Sequence, residues 1–335
     1  MPYFTVGDMA QSLIFTRQGQ SLKTAMQSLS TEATTGIVAD QTARLKGNFV
    51  PIAGIEASLT QLDAYRSVTS ETLVIANVMQ TALGTVSEQA SSLGSSLLAG
   101  TSGASALQID AIGRDAAHRL DAAMSALNSR IGERSLFSGQ ATDRPAVTGA
   151  ETLMTALEAA VSSSGATTSG EVEAAVNVWF NDPAGYAASI YQGAEALGPV
   201  PIGTDQTAQI DVTAKDPAIV TTLKGLAMAA LLSRGVLAGS DIARADLARR
   251  AGEQLAASAT PLAQLGARLG SAEAAIQNAA ARNDAEEDVL QTARLNLLSV
   301  DPYETASRFQ ETQTQLQTLY SLTARVARLK LVDFL

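Results

Sequence analysis

Cysteine is missing from all 335 residues, and histidine and tryptophan occur once each. Without cysteine there are no disulfides, no thiolate-held zinc and no thiol nucleophile. Chance, or a bias against cysteine, explains that absence as simply as passage between compartments in an unfolded state, where stray thiols are a liability. Clustered lysine and arginine are missing too. With a net charge of −10, the chain lacks the cationic surface that a nucleic-acid binder needs to displace counterions, so no nucleic-acid partner is expected. No run reaches the roughly 18 apolar residues that would read as a membrane-spanning helix, so no membrane insertion is expected. The opening, MPYFTVGDMAQSLIF, has no basic stretch followed by an apolar one and does not read as a Sec signal peptide.

The chemistry of an enzyme is equally sparse. His118 lies one position off the apolar track of its helix and reads as a solvated side chain. Glu286, Glu287 and Asp288 are consecutive, and consecutive helical residues point in different directions, so they read as a solvated face and not as a metal site. No phosphate-binding loop, dinucleotide fingerprint or nucleophile elbow is present. The chain reads as a non-enzyme, with no catalytic, cofactor-binding or metal residues and no cofactor.

What is abundant is small apolar side chains. Apolar residues make up 46% of the chain, much of this alanine, while aromatics are only 4%. That composition suits long helices packed closely together. Four stretches carry helical periodicity. From about Thr5 to Thr35, Phe15, Gly19, Leu22, Met26, Leu29 and Ala33 alternate by four and three residues, the spacing of a coiled-coil seam, and Gly36 would stop the helix. From Ile55 to Leu97 a second 4/3 track is too long to be held by propensity alone and needs a partner. Gly94 to Ser105 reads as a turn, and a third helix is expected from about Leu107 to Arg134. In the fourth stretch Leu255, Leu262, Leu269 and Ile276 recur every seven residues, and Leu290 and Leu297 resume the phase past Asn283. Pro261 predicts a kink or a fresh start there. Asp301-Pro302-Tyr303-Glu304 is a helix-start signal, opening a last helix with Phe309, Leu316, Leu319, Leu322, Val326 and Leu329 on one face. The chain is apolar to its last residue, which predicts a partner for that end. Seams at both ends imply that distant segments pair.

From about Ser135 to Gly239 the pattern changes. Leu136-Phe137-Ser138-Gly139 reads as a short strand and turn. Glu151 to Ser163 and Gly170 to Asn181 read as helices, and Tyr186 to Tyr191, Val200 to Gly203 and Ala208 to Thr213 as strands. Asp216-Pro217 opens a helix to about Arg234. Trp179, Phe180, Tyr186 and Tyr191 predict a small core of the insert's own.

Four segments then carry a resemblance. Glu32-Ala33-Thr34-Thr35-Gly36 is similar to an E-x-x-[ST]-G element closing a first terminal helix. Ser135-Leu136-Phe137-Ser138-Gly139 resembles an F-L-F-S-G segment, and Leu265-Gly266-Ala267-Arg268-Leu269 a G-x-R element. Gln313 to Tyr320 and the ending Lys330-Leu331-Val332-Asp333-Phe334-Leu335 are similar to a family terminus. Together they resemble the bacterial flagellin superfamily, and within it the hook-associated protein 3 group, which joins hook to filament. The match covers roughly residues 1–145 and 235–335. An I-N-T-N opening typical of flagellins is missing, which favours the junction group.

The resemblance implies a mainly α fold, a long-helix coiled-coil bundle formed by the N- and C-terminal segments with a small central α/β insert. The expected divisions are an inner coiled-coil helix over 1–45, bundle over 46–145, an outward-facing insert over 146–235, bundle over 236–300 and a second inner helix over 301–335. It implies a structural, extracellular flagellar protein at the hook–filament junction, exported unfolded through the flagellar type III apparatus. Its partners would be further copies of itself, a neighbouring hook-associated protein, flagellin, and an export chaperone on the C-terminal helix. The assembly interface would use Phe15, Leu22, Met26, Leu29, Phe309, Leu316, Leu319, Tyr320, Leu322, Val326, Leu329, Leu331, Phe334 and Leu335, with Leu136, Phe137, Ser138, Gly139 and Arg268 as family-motif positions. The alternatives are flagellin itself, the filament subunit, and a helical secreted effector or adhesin.

Overall fold

The computed structural model describes residues 6–100 and 105–332. The chain divides into two compact units. Unit 1 comprises the residues up to 63 and from 284 onward, and unit 2 comprises residues 64–283. Two long helices, α3 (Val50–Gly100) and α8 (Asp241–Leu298), contribute to both. The fold is mainly α. Among the described residues the only named strands form two short antiparallel ribbons, so the insert is small and largely helical.

In unit 1, α1 (Val6–Thr35) and α9 (Pro302–Val332) pack on each other, with the short α2 (Gln41–Arg44) between α1 and α3 in the chain. Gly36 ends α1 in the left-handed region at φ +70°, which costs a side-chain-bearing residue strain and glycine nothing. Its N–H donates to the Glu32 carbonyl at 2.8 Å, and the Glu32 carboxylate accepts from the Ala39 N–H at 2.8 Å. The glutamate and glycine of the E-x-x-[ST]-G element are thus two halves of one helix stop. Ile37 then bridges Ser299 antiparallel, Val38 N–H donates to the Leu298 carbonyl and Val300 N–H to that of Gly36. This bridge seats the end of α1 beside the start of α9, so the two terminal helices run antiparallel. Asp301 caps α9 as its sequence predicts, accepting from the Tyr303 and Glu304 N–H groups at 2.8 and 3.2 Å.

Unit 2 holds the large core. It contains α4 (Ala106–Leu127), the ribbon β1 (Arg130–Ile131) and β2 (Arg134–Ser135), α5 (Ala150–Ser164) and α6 (Ser169–Asn181). The ribbon β3 (Val200–Gly203) and β4 (Gln206–Ala208) follows, then α7 (Pro217–Ala230) with a 3-10 turn over Leu231–Arg234. Helix α4 packs on α7 and that turn. Helices α3 and α8 meet through small residues: a Cβ built on Gly94 would lie 3.2 Å from the Leu255 Cβ, and one on Gly252 3.0 Å from the Leu97 Cβ. One contiguous apolar cluster runs from Ile75 on α3 to Ile276 and Ala279 on α8.

Several expectations are corrected. Gly94 to Ser105 is not a turn from its start, because α3 continues to Gly100 and Gly94 serves close helix approach. Helix α4 stops at Leu127 and the chain reverses into β1–β2 before residue 134. Residues 136–139 form no strand; β2 ends at Ser135. Tyr186–Ile190 is a π-helical turn and not a strand, and of Ala208 to Thr213 only Ala208 is in one. Pro261 does not break α8, which is continuous through it, with Leu262 and Leu265 buried beside it. Packing outweighs the hydrogen bond that proline removes. The insert's aromatic residues touch one another, Phe180 stacking on Tyr186 at 5.6 Å with Trp179 edge-on at 5.2 Å. They join the core of the long helices instead of forming one of their own.

Candidate assembly surface

The antiparallel pair of α1 and α9 brings the two ends of the chain together. Leu316 and Leu319 are buried along it, while Phe15, Leu22, Met26, Leu29, Phe309 and Val326 are half-buried. Gly19 stands opposite Leu319, its built Cβ 3.4 Å from a Leu319 methyl, and the Lys23 ammonium lies 5.8 Å from the Tyr320 ring centroid. A groove of about 480 Å³ opens along the pair, floored by Phe15, Gly19, Leu319 and Val326 and rimmed by Gln11, Gln20 and Thr323. Tyr320 and Leu322 are exposed at 49% and 46%. Helix α9 extends through Leu329 and Leu331; their side chains, and the whole of Phe334 and Leu335, lie outside the described residues.

Three residues belong with this surface that the seam spacing missed. Met9, Leu13 and Ile14 are 64%, 66% and 58% exposed on the first turns of α1. They fall off the 4/3 track, so a search for one seam passes over them. The signal was an apolar density just ahead of Phe15 wider than a single stripe.

The family-motif positions do something else. Leu136, Phe137 and Ser138 are buried at 4% or less. The Phe137 carbonyl accepts from Ala214 N–H, that of Ser138 accepts from Ala194 N–H, and Gln140 N–H donates to the Glu195 carbonyl, each at 2.9 Å. Gly139 sits at φ +60°, and a Cβ there would lie 2.2 Å from the Glu195 oxygen. The segment is a buried knot that ties residues 194–195 and 214 together. Arg268 reaches Asp216 at 2.9 Å, the residue whose carboxylate caps α7. These positions hold the scaffold in unit 2.

Two other groups hold the same unit. Asp246 on α8 accepts from Ser169 on α6, from Arg250 at 2.8 Å and from Arg249, and these bonds hold its carboxyl well below the ordinary range. Tyr186 is buried and donates to the Ala214 carbonyl at 2.9 Å; burial pushes its phenol up, so it stays neutral. Among the described residues no acidic or histidine group could hold a metal, and no helix is long and apolar enough to cross a membrane. His118 is exposed on α4.

One unit pairs the terminal helices and leaves apolar side chains on them exposed, and the other is a largely helical scaffold with a small insert; this is a mainly α protein that brings its own chain ends together. The family described as the bacterial flagellin C-terminal helical region matches residues 253–335, which include most of α8 after its first turns and all of α9. The chain thus carries a flagellin-type C-terminal region, and the resemblance to the flagellin superfamily stands. That region is the mark of a structural component of the bacterial flagellum. Among solved structures, a flagellar hook-associated protein from Vibrio parahaemolyticus is similar at 16% identity and a TM-score of 0.48, over 73% of this chain and 95% of that one. That likeness is loose, and the resemblance to the flagellin superfamily rests on the C-terminal match. No curated protein sequence matches the chain.

Proposed function

We propose that this flagellar protein is a hook–filament junction subunit, which assembles with further copies through the α1–α9 pair. The observation that carries the assembly reading is the set of apolar side chains Met9, Leu13, Ile14, Tyr320 and Leu322, which stay exposed on two helices whose pairing also leaves a groove open. Most of a helix's stability in a protein comes from packing of its apolar surface, so a second layer of packing from neighbouring copies is the expected completion for α1 and α9. The junction assignment, as against the filament, is supported by the sequence resemblance of the Leu136–Gly139 segment. In this reading the chain leaves the cell unfolded, its C-terminal helix held by an export chaperone, and sits between a hook-associated protein and flagellin outside the cell. Residues 146–235 face outward.

Deleting the gene tests the position. A junction subunit's loss leaves intact hooks that release flagellin into the medium, and the protein is present at a few copies per flagellum. The match to a flagellin C-terminal region favours one second reading, a filament subunit. That reading requires the protein to be the bulk component of sheared filaments.

A further inference from the structure

The heptad track of α8 reads Leu255, Leu262, Leu269, Ile276, Asn283, Leu290, Leu297. The first four are buried at 3% or less, and Asn283 is buried at 7%. A buried polar residue inside an aliphatic seam lowers stability relative to leucine, and its best-attested use is to choose one register among several that the apolar pattern allows.

The partner of Asn283 is the β3–β4 ribbon. Its side-chain amide donates to the Ile202 carbonyl at 2.9 Å, and Gly203 passes close enough that a built Cβ would be 3.4 Å from the Asn283 Oδ1. On the preceding residue, the Arg282 guanidinium donates to the Gln206 side-chain oxygen. The ribbon's inward face is aliphatic: Ile202, Ala208 and the following Ile210 are all buried. Such a face finds comparable ledges along a heptad helix every seven residues, about 10.5 Å apart at 1.5 Å per residue. Aliphatic packing alone does not select among them. A donor aimed at the Ile202 carbonyl does.

We propose that Asn283 is the register pin that fixes where the β3–β4 ribbon, and the insert carrying it, is seated along α8. It acts through placement, and it gives up the stability that a leucine in the seam would add. The ordinary alternative is a core asparagine that merely satisfies a buried carbonyl and that the whole unit needs in order to fold.

Two variants and two readouts separate these. Asn283→Leu completes the aliphatic seam, and Asn283→Asp keeps the shape without the donor. Both are expected to raise hydrogen exchange across residues 200–208 by at least about tenfold while the cooperative thermal transition persists, because a local opening is released without global unfolding. The absence of native cysteine allows the seat to be read directly. Gln206→Cys is paired in turn with Arg282→Cys, Ala275→Cys and Val289→Cys and treated with a short bismaleimide. With Asn283 in place the link forms to position 282 alone; in the Asn283→Leu background a link to 275 or 289 is expected beside it. Unchanged exchange with a link only at 282, or loss of the cooperative transition in Asn283→Leu, overturns the proposal.

Discussion

Gly139→Ala is a sharp test of the buried knot. Three contributions add. A residue with a Cβ at φ +60° costs about 1 kcal/mol over glycine. The new Cβ would stand 2.2 Å from the Glu195 oxygen and 2.8 Å from that of Ala194, distances that force the backbone apart. That separation breaks the bonds Gln140 N–H to Glu195 and Ala194 N–H to Ser138, worth about 1 kcal/mol each. The expected loss is about 3 kcal/mol, or a fall in melting temperature of about 6–12 °C for a unit of this size. Gly132→Ala is the control. It shares the left-handed backbone at φ +58° but has nothing within 4 Å of the built Cβ, so it should lose only about 1 kcal/mol. Differential scanning calorimetry of the two variants beside the parent measures both. Equal losses would refute the claim that Gly139 is required by close approach.

Other perturbations have defined outcomes. Tyr186→Phe leaves the buried Ala214 carbonyl unpaired and should cost about 1–2 kcal/mol, read from the urea midpoint with an unchanged slope. The depressed carboxyl of Asp246, bonded first to Ser169 and then to Arg250 and Arg249, contributes stability that is fully present above its ordinary pKa and is lost as pH falls below that value towards its folded-state pKa. Urea midpoints followed into acid should therefore decline less steeply for Asp246→Asn than for the parent, and parallel curves would contradict the assignment. Arg268→Ala removes an exposed arm from a capping aspartate and should cost no more than about 1 kcal/mol by thermal melt.

The features legible in the sequence were those with a strict period or a local cap. The seam of α1, the heptads of α8, the Gly36 stop and the Asp301 and Asp216 caps depend on a few neighbouring residues, and each is seen in the structure. What escaped depended on distant partners. Gly94 looks like a turn residue until Leu255 is placed against it, and Pro261 looks like a break until Leu262 and Leu265, just after it, are buried. Tyr186 to Tyr191 reads as a short strand, yet the segment closes into a π-helical turn with Tyr186 inside, stacked on Phe180. The pairing of the chain ends followed from matching seams. The wider flank of Met9, Leu13 and Ile14 did not, because single-stripe periodicity cannot show a helix that has two faces to cover.

Covering of the exposed apolar side chains of α1 and α9 by neighbouring copies is the central claim, and one measurement meets it directly. Purified hooks are mixed with the full chain or with the double variant Leu13→Glu, Leu322→Glu, and bound protein is quantified after pelleting. Both positions are exposed within the monomer, so the variant should keep its helix content and melting temperature while its binding and assembly are abolished. Assembly of the variant at the level of the parent would contradict the claim.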